Sequence, residues 1–113
     1  MTQFAFVFPG QGSQSRGMMD GYTEFAAVRD TFNEASAVLG QDLWQLANAG
    51  TEADLNSTVN TQPLMLTAGV AVYRAWLGQN GPKPAMMAGH SLGEYTALVA
   101  AGALAHEEGI ARA

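Results

Sequence analysis

The sequence predicts an α/β fold with a parallel sheet, and three observations carry that prediction. Phe4-Ala5-Phe6-Val7-Phe8 is a continuous apolar run of the buried-strand type. Ala85-Met86-Met87-Ala88 is a second, shorter run of the same kind. Between them the apolar residues recur at helical spacing, and strands joined through helices pair in parallel.

Each element follows from local signals. The first strand ends at Pro9-Gly10-Gln11-Gly12-Ser13-Gln14, a loop of breakers and amides. From about Glu24 to Leu39 a helix puts Phe25, Val28, Phe32, Ala35 and Leu39 on one face, and Gly40 is placed to end it. A short second helix carries Leu43, Trp44 and Leu46 before Gly50, and Thr51-Glu52-Ala53-Asp54 has the form of a capping box that opens a further turn. In Asn60-Thr61-Gln62-Pro63 the proline suits a first helical turn. Leu64 to Leu77 is apolar almost all round, with Arg74 its only charge, and reads as a buried helix that Asn80-Gly81-Pro82 stops. The run at 85–88 is expected as an inner strand. A last helix follows, with Leu92, Tyr95, Leu98 and Val99 on its apolar stripe. Glu107 to Ala113 has the pattern of another helix beginning.

Two strands make a poor parallel sheet, and the helix at 64–77 needs partners on several sides. The expectation is therefore that residues 1–113 are the N-terminal part of a larger domain.

Composition removes several function classes. The chain has 113 residues, 48% of them hydrophobic, enough for one small core. Its formal charge of −5, with Arg16, Arg29, Arg74, Lys83 and Arg112 scattered, argues against nucleic-acid binding. With no cysteine there is neither a disulfide framework nor a thiolate metal site, and His90 and His106 have no metal-ligand spacing. No apolar stretch is long enough to span a bilayer, and no basic or arginine-rich leader is recognisable, so a cytoplasmic protein is expected.

The chemistry concentrates in Gly89-His90-Ser91-Leu92-Gly93, a G-x-S-x-G pentapeptide between the second strand and the last helix. Such a sharp strand-to-helix turn forms a nucleophile elbow: it lifts the Ser91 hydroxyl toward substrate, near backbone N–H groups and the positive end of the helix. Covalent acyl chemistry on Ser91 follows. The pentapeptide alone is equally compatible with an ordinary glycine-rich loop. A serine nucleophile needs a general base. His90 is adjacent, but neighbours around a tight turn point in different directions, which assigns it to packing or hydrogen bonding beneath the elbow. His106 lies roughly 20 Å further along the helix axis at 1.5 Å per residue. Any base is thus expected beyond residue 113.

Gly10-Gln11-Gly12 resembles the start of a dinucleotide fingerprint, but the third required glycine is Ser15, and Arg16 follows. Two glycines around Gln11 instead let backbone approach a substrate carbonyl. The Gln11 N–H can then join the Leu92 N–H in an oxyanion hole.

Phe8-Pro9-Gly10-Gln11-Gly12-Ser13-Gln14, Thr61-Gln62-Pro63 and Gly89-His90-Ser91-Leu92-Gly93-Glu94-Tyr95 together resemble the malonyl-CoA:acyl carrier protein transacylase family in order and spacing. The resemblance covers essentially the whole chain. It implies an α/β-hydrolase-like core, with a ferredoxin-like subdomain expected downstream and absent here. It implies an enzyme of fatty-acid biosynthesis in which Ser91 accepts malonyl from coenzyme A and passes it to the phosphopantetheine thiol of acyl carrier protein. Gln11 and Leu92 match the oxyanion-hole positions. Gln62 matches a glutamine lining the site, although the residues alone also allow a polar residue that simply opens a helix. Gly10 and His90 complete the substrate surroundings. Glu94 suits a first helical turn by its charge and Tyr95 the buried stripe. No metal and no cofactor is implied, since malonyl-CoA is substrate and phosphopantetheine belongs to the partner.

The family's base histidine and the arginine that pairs with the malonyl carboxylate fall after residue 113, and Arg112 is a few positions short of that arginine. The segment alone is therefore expected to be inactive. Acyl carrier proteins are typically acidic, so docking needs a basic patch that these scattered cations do not form. A polyketide-synthase-type acyltransferase domain and a non-catalytic association module remain as alternatives.

Overall fold

The computed structural model describes residues 4–10, 12, 14–82, 84, 86–89, 93–100 and 102. Strand β1 (Ala5–Phe8) is followed by a 3-10 turn at Asp20–Tyr22 and by α1 (Ala26–Leu39), α2 (Leu43–Ala49), α3 (Glu52–Asn56) and α4 (Thr58–Gly78). Then come β2 (Met86–Gly89) and α5 (Gly93–Ala100). The two strands pair in parallel, in the register Ala5↔Met86 through Phe8↔Gly89. The mixed α/β architecture with a parallel sheet is the one the sequence predicts.

Local chemistry sets the helix ends. Gly40 closes α1 in the left-handed conformation (φ 68°), its N–H bonded to the Ser36 carbonyl; a side chain there would be strained. Asp42 caps α2 by accepting from the Gln45 N–H. The capping box forms as expected: the Asp54 N–H donates to Thr51 Oγ1 at 3.1 Å, and the Thr51 N–H to the Asp54 carboxylate at 3.4 Å.

Helix α4 departs from expectation at its start. It begins at Thr58, so Pro63 lies in its interior rather than its first turn. The missing proline N–H leaves the Val59 carbonyl without its helical donor, and Val59 is 81% exposed, at a turn open to water. The Thr61 hydroxyl sits against the carbonyls of both Leu55 and Ser57 and stitches this extra turn to the end of α3.

The all-round apolar character of α4 has a geometric reason, because the helix is packed on two opposite sides. Leu64, Ala68, Ala71 and Ala75, spaced 4-3-4, form one stripe within the main core, which also holds Val28, Phe32 and Ala35 of α1, Leu43 and Leu46 of α2 and Leu55 of α3. Roughly half a turn away, Tyr73 packs with Phe8 and Ala97, and Phe6, Leu77 and Met87 border that smaller cluster. The one charge, Arg74, reaches out to Glu34 at 3.2 Å and to the Thr31 hydroxyl at 3.3 Å.

Three burial expectations are corrected. Leu39 and Leu98 are exposed: Leu39 is the last residue of α1, past the turns packed through Val28, Phe32 and Ala35, and Leu98 lies about half a turn round α5 from buried Thr96; buried Thr31 on α1, and Thr96 and Ala97 on α5, fill the packed faces instead. The strands read as buried on both sides and, among the described residues, are covered on one. Phe6, Phe8 and Met87 turn toward α4 and α5, whereas Val7 (72% exposed) and Met86 (67%) face away. Side chains alternate across a strand, so helices packed on one face cannot cover both. The helix expected to begin at 107–113 lies outside the described residues. Among those described, no helix is long and apolar enough to cross a membrane.

Candidate active site

Strand register decides where the two signature loops emerge. Phe8, the last residue of β1, pairs with Gly89, the last residue of β2 and the first of the pentapeptide. Both loops therefore leave the sheet at the same edge, at the carboxyl ends of parallel strands, where open α/β sheets bind ligands. Gly10 is buried just past the end of β1. Gly93, the last glycine of the pentapeptide and the first residue of α5, is also buried, and it lies directly on the β1 backbone. A Cβ on Gly93 would overlap the Phe8 carbonyl oxygen and stand 2.9 Å from the Phe8 carbonyl carbon and 3.2 Å from the Pro9 oxygen. Glycine at position 93 is thus required for α5 to start against the loop that follows β1. Ser91, Leu92 and His90, and Gln11 in the first loop, lie outside the described residues; their flanks, Gly89, Gly93, Gly10 and Gly12, are described.

Helix α4 brings Gln62 toward the same edge. The Trp76 ring meets Phe4 and Phe6, the Tyr73 ring meets Phe6 and Phe8, and Gly69 lies against Phe8. Moving back along α4 therefore moves forward along β1. Gly69 also admits α5: a Cβ there would stand 2.6 Å from the Thr96 methyl and 3.3 Å from the Phe8 ring. Gln62 continues this 4-3-4-3 stripe two turns before Gly69, about 10 Å further along the axis. That places it past the end of β1, level with the loop. Gln62 is half-buried and makes no side-chain hydrogen bond among the described residues.

The loop after β1 is held by polar contacts that sequence reasoning missed. Gly12 has φ +112°, a conformation that glycine adopts without strain. Its N–H donates to Gln14 Oε1 at 2.8 Å, and Gln14 Nε2 donates to Asn56 Oδ1 of α3 at 2.8 Å. Further on, the Gly17 N–H donates to the Ala47 carbonyl of α2 at 2.8 Å. Gln14 stood in the motif, but nothing local pointed to Asn56, 42 residues away.

Residues 5–113 match the acyl transferase domain family. The chain belongs to that family. Within it, the chain is 61% identical over 105 residues to the malonyl CoA-acyl carrier protein transacylase of Escherichia coli (strain K12), covering 92% of this chain and 34% of that protein. The crystal structure of acyl-carrier-protein s-malonyltransferase from Burkholderia pseudomallei 1710b superposes with a TM-score of 0.95 at 56% identity, over 97% of this chain and 36% of that one. PlMCAT:AntF (holo), a type II PKS acyl-carrier protein in complex with its malonyl-transacylase, gives 0.93 at 53% identity, again over 97% and 36%. The chain spans about a third of the length of the curated relatives it matches. The resemblance of the three motifs to malonyl-CoA:acyl carrier protein transacylases is borne out, and the acyl transferase domain family accounts for all three together.

Proposed function

We propose that residues 1–113 form the nucleophile-bearing part of a malonyl-CoA:acyl carrier protein transacylase, an α/β-hydrolase-like core whose ferredoxin-like subdomain follows in sequence. The observation that carries this reading is the shared edge: Phe8 pairs with Gly89, and Gly93 lies on the Phe8–Pro9 backbone, so the Gln11 loop and the Ser91 turn start side by side. Relatives that match this chain at up to 61% identity bear the transacylase name.

In the proposed reaction Ser91 Oγ attacks the thioester carbonyl of malonyl-CoA, and its proton passes to a general base supplied by residues after 113. The N–H groups of Gln11 and Leu92 bind the oxyanion of the tetrahedral intermediate. Collapse breaks the C–S bond, the coenzyme A thiolate leaves with a proton, and malonyl remains as an ester on Ser91. The phosphopantetheine thiol of acyl carrier protein then attacks that ester and Ser91 regains its proton, a ping-pong transfer. Gly10 lets the loop backbone come close to the acyl group, Gln62 offers its amide from α4, and His90 supports the turn from beneath. A bidentate arginine beyond residue 113 selects the malonyl carboxylate. Both substrates belong to the cytoplasm. No metal or cofactor takes part.

Docking of acyl carrier protein falls to the part after residue 113. Of the three described arginines, Arg74 is paired with Glu34 and Arg29 lies 4.6 Å over the Trp44 ring, and Arg16 by itself makes no basic patch. The carrier complex among the structural neighbours favours a second reading, in which the acceptor is a polyketide carrier protein. The chemistry on Ser91 is the same, and only the acceptor assay separates the two.

The test is intact-mass spectrometry of the full-length protein after incubation with malonyl-CoA, with Ser91→Ala as control. One malonyl group on the wild type and none on the variant is the expected result. An unmodified wild type, or a variant that still takes the label, would overturn the assignment. Residues 1–113 in isolation are expected to show no turnover.

A further inference from the structure

We propose that Gln14 is a positioning residue for acyl transfer: its side-chain amide straps the Gly12 N–H to Asn56 of α3 and thereby holds the turn that presents the Gln11 N–H. The proposal rests on the acyl-transfer reading above.

The turn at Gly12 is not held by packing. A Cβ at Gly12 would meet nothing within 4 Å, and the residue adopts φ +112°, where glycine has many alternatives nearby. Its conformation therefore depends on hydrogen bonds. The Gly12 N–H belongs to the peptide group that directly follows Gln11, and it is the group that Gln14 Oε1 accepts from, at 2.8 Å. The other end of the same amide donates to Asn56 Oδ1, also at 2.8 Å. A primary amide can do both at once, because it carries an acceptor and donors on one plane.

The far end of the strap is firm. Asn56 ends α3, which has its capping box at the opposite end and Leu55 buried beneath it. Asn60 Nδ2 of α4 adds a bond to the Asp54 carbonyl at 3.1 Å. The loop itself is anchored by buried Gly10 on one side and by the Gly17–Ala47 bond on the other. Between these anchors, among the described residues, the Gln14–Asn56 bond is the tie from the loop to another part of the fold.

An oxyanion hole works by donors fixed in advance at about 2.7–3.1 Å from the developing charge. A turn free to move by about 1 Å loses roughly a hundredfold in rate. The strap removes that freedom through bonds to Gly12 and Asn56.

The test uses the full-length protein and four measurements: the rate of Ser91 malonylation, KM for malonyl-CoA, Tm, and hydrogen exchange at the Gly12 amide. Gln14→Met keeps the side-chain length and removes both bonds. It is expected to slow malonylation roughly tenfold to a hundredfold, below the loss from deleting a donor outright, with KM within about twofold. Tm stays unchanged and Gly12 exchange accelerates. Asn56→Ala follows in the same direction, whereas Asn56→Asp, which keeps the acceptor, restores the wild-type rate. A Gln14→Met enzyme as fast as wild type overturns the proposal, as do equal losses in Asn56→Ala and Asn56→Asp, or a rate loss that only tracks a fall in Tm. A wild type that never acquires malonyl overturns the acyl-transfer reading itself, whereas an active wild type with an unaffected Gln14→Met overturns the strap alone.

Discussion

Replacing Gly93 by alanine sets two effects against each other, and the structure decides between them. Gly93 is the first residue of α5, and helix propensity alone favours alanine over glycine by up to about 1 kcal/mol. The added methyl, however, would overlap the Phe8 carbonyl oxygen and stand 2.9 Å from the carbonyl carbon, both of them backbone atoms of a paired strand. No rotamer change relieves such a contact. Either β1 or the start of α5 must move, and overpacking of this kind costs about 1–3 kcal/mol. The steric term wins, and the net expectation is a loss of about 1–2 kcal/mol. In the proposed reaction, movement of the Ser91 turn by about 1 Å adds a roughly hundredfold loss in malonylation. Gly78→Ala is the matched control, since a Cβ at that helical glycine meets nothing within 4 Å; it is expected to be neutral or stabilising by up to about 1 kcal/mol. Urea unfolding and the malonylation rate of both variants check this. A Gly93→Ala protein as stable as Gly78→Ala that acylates at the wild-type rate would refute the steric account of the elbow.

Three further outcomes are expected. Gly12→Ala meets no atoms but forces alanine to φ +112°, so it should lose about 1–2 kcal/mol through backbone strain alone, read by urea unfolding. Thr67 is buried with its hydroxyl unpartnered; Thr67→Val replaces that hydroxyl by a methyl of similar size and should raise stability by about 1 kcal/mol, seen as a higher Tm. Thr51→Ala removes the capping box of α3 and should cost about 1 kcal/mol, with faster exchange of the Asp54 amide that Thr51 now holds.

What could be read from the sequence alone was what neighbouring residues decide among themselves. Gly40, the Thr51–Asp54 box and the 3.6-residue stripe of α1 act over a few positions, so the helix that ends at Leu39 and the start of α3 were legible. So was the pair of strands, because short apolar runs bounded by glycine and proline have few other uses. The three motifs were legible as a set, and with them the family. The local signal at Pro63 misled, because proline at a first turn is a preference, and the stitch from Thr61 to the carbonyls of Leu55 and Ser57 lets α4 start five residues earlier.

Tertiary structure decided everything that depends on distant segments meeting. Whether Val7 or Phe8 is covered depends on which side of the sheet α4 and α5 pack, and alternation along a strand leaves both choices open until they do. Gln62 became a residue of the loop edge only because α4 runs back along β1, with Trp76, Tyr73 and Gly69 marking successive steps toward Phe8. The need for glycine at position 93 comes from a carbonyl oxygen more than eighty residues earlier in the chain. The Gln14–Asn56 bond spans 42 residues and has no local signature at all. Periodicity and caps are written in the chain because their hydrogen bonds close within a turn. Register, helix crossing and the meeting of loops are set by packing, which the chain specifies only as a whole.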